Sequence, residues 1–225
     1  METYGYSQEK TDRLIANGYD VTPSDYIKQG WGIFKQNFGG FVGYMVIVLL
    51  VNIVLDSIPG IGFLLSAILQ GPLLAGFYIV SRKIQYNETY TFSDFFNGFK
   101  NFVPLAMVNL IGGLLILIGL VLLVLPGVYL LIAYLLGTPF VVFGKMDFWP
   151  ALENSRKLIT KQWFSFFAFA LLLVLINILG AIAFGIGLLI SIPVTLCATY
   201  AAYEHIIGTG HDPNTIDEEA VIVED

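Results

Sequence analysis

Charged residues are scarce in this chain of 225 residues, where they make up 12% of the sequence against a hydrophobic fraction of 56%. Soluble domains carry about 25% charged residues, so this chain has too little polar surface to cover a water-soluble globule. The mean hydropathy of +0.76 agrees with that conclusion. The composition therefore predicts an integral membrane protein.

Cysteine and positive charge are also in short supply. A single cysteine, Cys197, excludes an intrachain disulfide, and its apolar neighbours favour a packing role over redox chemistry. The net charge is −6, with the acidic residues concentrated in the two tails. Because nucleic-acid binding requires a basic face, we expect no nucleic-acid partner.

Motifs that carry catalysis or bind metals are missing. The sequence has no glycine-rich phosphate loop ending in Gly-Lys-Ser/Thr, no His-Glu-x-x-His and no Gly-x-Ser-x-Gly. Glu204 and His205 are neighbours, but adjacent residues of a helix do not face each other, so we expect both to be solvated at the interface. The sequence therefore predicts no enzyme, no cofactor and no metal.

Long apolar runs are what the sequence does have, and a spanning helix needs about 20 such residues. Six segments qualify, which predicts an all-α polytopic membrane protein: 41–58, 61–81, 102–125, 128–144, 164–182 and 186–206. Pro126-Gly127 stands between the third and fourth, and we interpret it as a tight turn rather than a kink. The predicted organisation is an N-terminal tail (1–21), a membrane domain (22–208) and an acidic C-terminal tail (209–225).

The placement of Lys and Arg predicts the orientation. All 11 basic residues precede span one or lie between spans two and three or four and five, and such charges are retained in the cytoplasm. Both termini are therefore expected to be cytoplasmic, in a multi-pass protein of the plasma (inner) membrane. The first forty residues carry both signs of charge, so we expect no cleavable signal peptide and span one to direct insertion.

Three cytoplasmic segments resemble one another: TPSDYIKQGWGIFKQNF (22–38), TFSDFFNGFKNF (91–102) and DFWPALENSRKLITKQWF (147–164). Each precedes a span, a turn and a second span that contains proline, at Pro72, Pro139 or Pro193. We interpret this as three parallel repeats, each a helical hairpin preceded by a short interfacial helix. The alternative is that interfacial lysines, aromatics and Pro/Gly turns occur in any six-helix membrane protein.

The first and third of these segments are amphipathic. Helical spacing gives each an apolar stripe, namely Ile27, Trp31, Phe34 and Phe38 in the first and Phe148, Leu152, Ile159 and Trp163 in the third. We expect such helices to lie in the headgroup region with the apolar face down. Docking of a partner or of an anionic lipid is the alternative role.

Polar side chains within the spans are few. Ionisable residues deep in a membrane usually mark transport pathways, and none is predicted there, since Asp56 lies at the outer end of span one. The candidate ligand-binding residues are four amides: Asn52, Gln70, Asn109 and Asn177. Interhelical hydrogen bonding, worth about 0.6–2 kcal/mol each, is their expected role, and the lining of a substrate cavity is the alternative.

Several motifs occur in the order and spacing of a known family. LPGVYL (125–130), PFVV (139–142) and ALENSRKLITKQW (151–163), preceded by GPLLAG (71–76) and FSDFFNGF (92–99), resemble a bacterial integral-membrane family. This is the membrane domain of glycerophosphodiester phosphodiesterases, which also occurs as stand-alone proteins of unknown function. The resemblance covers residues 22–208. It implies no activity here, because in fused members the phosphodiesterase chemistry belongs to a separate soluble domain.

The sequence thus favours a non-enzymatic membrane protein with a scaffold, regulatory or membrane-homeostasis role. The alternative is a transporter or channel-like protein for a lipid or small neutral solute, with Asn52, Gln70 and Asn177 lining the path. A lipid-processing enzyme is a weaker third hypothesis. Membrane lipid is the expected partner, with a second copy of the chain or another membrane protein as further candidates.

Overall fold

The computed structural model describes residues 2–182 and 185–209, which contain helices and no strand. The helices are α1 (Glu2–Asn17), α2 (Pro23–Gln36), α3 (Phe38–Asp56), α4 (Gly62–Gln85), a 3₁₀ helix (Phe92–Asn101), α5 (Phe102–Leu122), α6 (Val124–Ala133), α7 (Gly137–Val142), α8 (Phe148–Lys161), α9 (Trp163–Ile182) and α10 (Leu188–Ile206). The predicted N-terminal tail is thus largely helical. The predicted acidic tail lies outside the described residues, apart from Thr209.

Among the described residues, five segments are long and apolar enough to cross a membrane: Phe38–Asp56, Gly62–Gln85, Phe92–Leu122, Val124–Val142 and Trp163–Ile182. They correspond to the first five predicted spans, and the second runs four residues beyond its predicted end. The sixth prediction, 186–206, falls on α10, a helix of 19 residues. α10 is not among the five, because polar residues such as Thr199, Glu204 and His205 lower the hydropathy of its second half.

The apolar run around Pro126-Gly127 forms two helices, but the dipeptide is not the turn. The chain breaks at Leu123, whose backbone is extended with φ −155° and ψ 127°. Pro126 lies in the first turn of α6, where its missing amide hydrogen has no intrahelical acceptor to lose. A Cβ on Gly119 would lie 2.9 Å from the Gly127 Cα, so the two glycines let α5 and α6 approach closely.

The fourth predicted span, 128–144, is interrupted rather than continuous. α6 ends at Ala133 and α7 starts at Gly137, with a turn between them. Pro139 accounts for the interruption, since proline cannot donate to the carbonyl of Leu135 and its ring clashes with that group. Pro72 and Pro193, in contrast, lie inside the continuous helices α4 and α10.

Each of the three segments predicted to be interfacial forms a short helix, namely α2, the 3₁₀ helix and α8. Of the apolar stripe in the first segment, only Phe34 is buried within the protein, and the orientation of the exposed members toward the membrane stays a prediction. Trp31 and Phe38 are 44% and 50% exposed, whereas Tyr26, Gly30 and Ile33 are buried together with Phe34. The physical reason is that α2 packs along α10 at Gly30. This contact turns the side of α2 that carries Trp31 outward.

These three short helices pack against proline-containing helices of other hairpins. α2 lies on α10, the 3₁₀ helix on α4, and α8 on α7. A small residue lies at each contact. Gly30 meets the backbone of Ala198 and Gly98 the carbonyl of Pro72. Ser155 Oγ accepts from the amide of Leu136, the residue before α7, at 3.2 Å and donates to the Ala133 carbonyl at the end of α6 at 2.7 Å. Larger side chains at these positions would separate the helices.

The core beneath the short helices is rich in aromatic side chains. Tyr44 and Phe95 stack with ring centroids 4.6 Å apart, and Phe41 and Phe77 complete the cluster. All four are fully buried. The Cys197 thiol is also buried, 3.3 Å from Ser81 Oγ, as its predicted packing role requires. This core fixes the 3₁₀ helix against α3 and α4. It thereby positions the polar side chains of that helix, Asn97, Lys100 and Asn101.

Candidate functional site

The four amides proposed as ligand-binding residues lie on four different helices. Asn52 donates to the carbonyl of Val48 at 2.8 Å and Asn109 to that of Leu105 at 3.4 Å, each within its own helix. Gln70 is half-buried in α4. No hydrogen bond of the described residues joins two of the four amides.

Asn177 alone among them bridges two helices. Its Nδ2 donates to Leu173 O at 2.9 Å and lies 3.3 Å from Thr195 Oγ1, while Ser191 Oγ donates to its Oδ1 at 2.9 Å. Donor and acceptor are thus both used to link α9 with α10. This is the interhelical hydrogen bonding expected of a polar residue within a membrane.

Asn109 contributes to the wall of a cavity of about 550 Å³. The cavity lies between α4 and α5, and most of its other lining residues are apolar, among them Phe63, Leu64 and Leu114. Asn52, Gln70 and Asn177 are not part of that wall. A path lined jointly by Asn52, Gln70 and Asn177 therefore stays a prediction.

A different place gathers polar groups from four parts of the chain. A pocket of about 480 Å³ is lined by four cations, Arg82, Lys83, Lys100 and Lys145. We call it the basic pocket. The amides of Asn97 and Asn101 and the residue Thr209 share its wall. The end of α4, the 3₁₀ helix, the segment after α7 and the residues after α10 thus meet around one opening.

Two of the four cations are held by carboxylates. Arg82 Nη1 lies 2.9 Å from Glu88 Oε1, and Lys83 Nζ lies 2.9 Å from Asp94 Oδ1. Asp94 also caps the 3₁₀ helix, because its Oδ2 accepts from the Thr91 amide at 2.8 Å. These side chains are partly buried, with 25% of Arg82 and 24% of Lys83 exposed. The ion pairs therefore fix one wall of the pocket.

The other two cations have no carboxylate partner in the part of the chain that the structure describes. Within residues 2–182 and 185–209, neither Lys100 nor Lys145 has a carboxylate within ion-pair distance. Lys145 has φ 53°, the left-handed region that side-chain-bearing residues rarely adopt. Its neighbours Gly144 and Met146 are buried, so the surrounding packing holds this conformation and directs the exposed lysine to the rim.

The remaining wall of the basic pocket is apolar. Ile79, Val142 and Phe143 line it, and the last two are buried. Ile79 precedes Arg82 by three residues, which places both on one face of α4. Along that face the surface changes from apolar to charged where the helix ends, as it does at the headgroup level of a membrane.

A hydrogen-bonded network adjoins the pocket at Thr209. Glu204 accepts from the hydroxyl of Tyr86, from that of Tyr200 at 3.3 Å and from the Thr209 amide at 3.3 Å. Burial and the hydrogen bond to Glu204 both raise the pKa of Tyr86. The prediction that Glu204 is simply solvated is therefore wrong, because side chains from α10 and the end of α4 surround it.

His205 points to another helix. Its Nδ1 lies 2.9 Å from the Tyr26 hydroxyl, which links the end of α10 to α2. Glu204 and His205 therefore have separate partners and do not act as a pair. Within the described parts of the chain, no group of three His, Cys, Asp or Glu side chains is arranged to hold a metal ion.

Sequence reasoning used the pocket cations only to orient the protein and missed that they converge. Their positions in the sequence could have indicated this. Arg82, Lys83 and Lys100 lie between the second and third predicted spans, and Lys145 follows the fourth, so all four are expected at the same side of the membrane. The packing of the 3₁₀ helix and of α7 on α4 brings them together.

Comparisons with known proteins leave the predicted relationship open. No family model, no curated protein and no solved structure matches this chain. The resemblance to the membrane domain of glycerophosphodiester phosphodiesterases therefore stays a prediction.

Proposed function

We propose that this chain is a six-span protein of the plasma membrane that binds anionic lipid headgroups at its cytoplasmic face. The role is non-enzymatic, as a scaffold, regulator or component of membrane homeostasis. The observation that carries the proposal is the basic pocket, where four cations meet beside an apolar wall.

α10 is the proposed sixth span. Its 19 residues extend about 28 Å at 1.5 Å per residue, close to the roughly 30 Å of a hydrocarbon core. Its polar second half is largely buried against neighbouring helices, including Thr199, Tyr200 and Tyr203. Burial within the bundle removes these groups from lipid, so a lower hydropathy is compatible with a span.

The cyclic order of contacts supports three repeats. α2, the short helix of the first unit, packs on α10, the proline-containing helix of the third unit. The 3₁₀ helix of the second unit packs on α4 of the first, and α8 of the third unit packs on α7 of the second. The small residues at these contacts occupy similar positions, since Gly30, Gly98 and Ser155 lie seven or eight residues after Thr22, Thr91 and Asp147. Parallel repeats related by an axis along the membrane normal account for this order.

The proposed orientation places the basic pocket in the cytoplasm. Lys and Arg are retained on that side during insertion, and the cytoplasmic leaflet carries anionic lipids that attract them. With α4 crossing the membrane, Arg82 and Lys83 reach the headgroup level, just beyond the apolar Ile79. Both termini then lie in the cytoplasm.

The pocket is suited to binding rather than to chemistry. Lysine, arginine and amide side chains donate hydrogen bonds to an anion. The carboxylates of Glu88 and Asp94 already form ion pairs with Arg82 and Lys83, and that of Glu204 accepts from Tyr86, Tyr200 and Thr209. We therefore assign the pocket to holding a headgroup.

Native mass spectrometry after mild extraction tests the proposal. Wild type is expected to retain an anionic lipid, and the double variant Lys100→Gln/Lys145→Asn to lose most of it. Asparagine suits position 145 because it tolerates the left-handed backbone. The control Lys28→Gln/Lys161→Gln removes the same charge from residues outside the pocket wall. Equal lipid retention by all three proteins would contradict the proposal.

A further inference from the structure

We infer that the basic pocket selects a phosphomonoester headgroup, whose terminal phosphate carries two negative charges, over a phosphodiester headgroup with one. This inference rests on the proposed function, that the pocket holds an anionic headgroup, and adds the class of headgroup that it takes.

The charge of the pocket is the first argument. Arg82 and Lys83 are each compensated by a carboxylate of the chain, whereas Lys100 and Lys145 have no such partner among the described residues. The described residues therefore leave two positive charges at one opening. A phosphodiester would compensate one of them, and a phosphomonoester compensates both.

The donors around the opening fit the oxygens of a terminal phosphate. Lys100 and Lys145 each offer an ammonium group, and Asn101 an amide. Arg82 uses Nη1 for Glu88, and a guanidinium has five N–H donors, so others are left. A phosphate esterified at one oxygen presents three oxygens to such a set, whereas a diester presents two that carry charge.

The backbone conformation of Lys145 also indicates a ligand site. Its left-handed conformation, φ 53°, is unfavourable for residues other than Gly, Asn or Asp. Lysine is therefore conformationally unfavourable at this position. Strained backbone of this kind occurs at ligand sites. A requirement for the ammonium group at this point of the rim explains the residue.

The shape of the pocket indicates that the phosphate is carried by a lipid. Its volume of about 480 Å³ exceeds the needs of a phosphate ion and falls in the usual range for small-molecule sites. Ile79, Val142 and Phe143 give it an apolar side, which suits a glycerol backbone and the start of acyl chains. A soluble phosphomonoester shares the phosphate chemistry but leaves that wall unused.

The test compares two lipids that differ by one methyl group. Dioctanoyl phosphatidic acid and dioctanoyl phosphatidylmethanol are titrated onto the full chain in detergent at pH 8, above the second phosphate pKa of about 6. Wild type is expected to bind phosphatidic acid about fivefold more tightly, the gain of one further surface ion pair. Lys145→Asn should abolish that preference, and Lys161→Gln should leave it intact.

The outcomes separate the two claims. Equal affinity for both lipids, each above that for dioctanoyl phosphatidylcholine, would overturn the inference and leave the proposed function standing. Affinities equal to that for phosphatidylcholine would overturn both. Glycerol 3-phosphate is then added as a competitor of bound phosphatidic acid. If it competes as strongly as phosphatidic acid itself, the phosphomonoester need not be a lipid and that part of the inference is wrong. Competition at least tenfold weaker supports a lipid as the ligand.

Discussion

Lys83 Nζ lies 2.9 Å from Asp94 Oδ1, and this ion pair joins the C-terminal end of α4 to the 3₁₀ helix. Asp94 Oδ1 also accepts from Asn97 Nδ2 at 2.7 Å. One carboxylate thus orders two residues of the pocket wall while competing with any bound anion for Lys83. If the pocket binds an anionic lipid as proposed, Asp94 stabilises the wall and lowers the affinity for that lipid.

Asp94→Asn is therefore expected to raise the affinity for an anionic lipid by about two- to fivefold, since Lys83 becomes available to the ligand. The free energy of unfolding should fall by about 0.2–1 kcal/mol through loss of the pair. Asparagine can still accept from the Thr91 amide, which preserves the cap. Lipid titration and thermal unfolding in detergent measure the two effects.

Asp25→Asn provides the matched control for Asp94→Asn. Asp25 occupies the corresponding position of the similar segment 22–38 and pairs with Lys28 at 3.3 Å, outside the basic pocket. Its substitution should leave lipid affinity unchanged. A decrease in affinity on Asp94→Asn would show that Lys83 does not face the ligand.

Gly30→Ala tests the packing of α2 on α10. A Cβ on Gly30 would lie 2.5 Å from the Ala198 nitrogen and 2.7 Å from its Cα, so the helices must separate. We expect a loss of about 1–3 kcal/mol in the free energy of unfolding, as for overpacking in a core. Denaturant-induced unfolding in detergent micelles measures it.

Gly32→Ala is the control for that substitution. Gly32 lies in the same helix, but a Cβ added there would have nothing within 4 Å. Alanine at this position should stabilise the helix by up to about 1 kcal/mol. Equal effects of the two substitutions would contradict the close approach of α2 and α10.

Asn177→Ala separates a structural role of the amide from a transport role. The substitution removes the links to Ser191 and Thr195, so we expect a destabilisation of about 0.6–1.7 kcal/mol. Asn52→Ala should cost less, because Asn52 bonds only within its own helix. Unfolding in detergent measures both effects, and a larger loss at Asn52 than at Asn177 would contradict the interhelical role of Asn177.

The ion pair of α8 predicts a pH dependence. The hydrogen bond from Arg156, followed by the attraction of Arg156 and Lys157, holds the pKa of Glu153 below its usual value. The ionised carboxylate therefore stabilises the folded state above the unfolded pKa of about 4.3, and that contribution is lost as pH falls through the lower folded value.

Wild type and Glu153→Gln are compared by thermal unfolding between pH 7 and pH 3. Their difference in unfolding temperature should be greatest near neutrality and should shrink below about pH 4. A difference that stays constant over this interval would show that the pair contributes nothing through ionisation. The expected size is small, about 0.2–1 kcal/mol, because both side chains are partly exposed.

Hydropathy and the placement of proline predicted much of the fold. The first five spans and the three short helices before them are where apolar runs and lysine–aromatic segments indicate. Those signals are local, so a single sequence carries them. The turn at Leu123 was misplaced because proline and glycine are usual in turns, yet proline also suits the first turn of a helix.

The candidate site was far less accessible to sequence reasoning. Its cations come from segments that are distant along the chain, and their convergence depends on Gly98 packing against Pro72. Glu204 was misjudged for a related reason, since Tyr86, its partner, is 118 residues away. Neither contact has a periodicity or a spacing from which it can be predicted.

Photocrosslinking from the pocket wall within intact membranes tests the central claim most directly. A photoreactive residue replaces Asn97, which lies in that wall, and the adducts are identified by mass spectrometry. We predict adducts with an anionic phospholipid, lost on Lys100→Gln/Lys145→Asn and retained on Lys28→Gln/Lys161→Gln. Adducts only with protein, or with lipids in proportion to their abundance in the membrane, would contradict a lipid-binding function for the basic pocket.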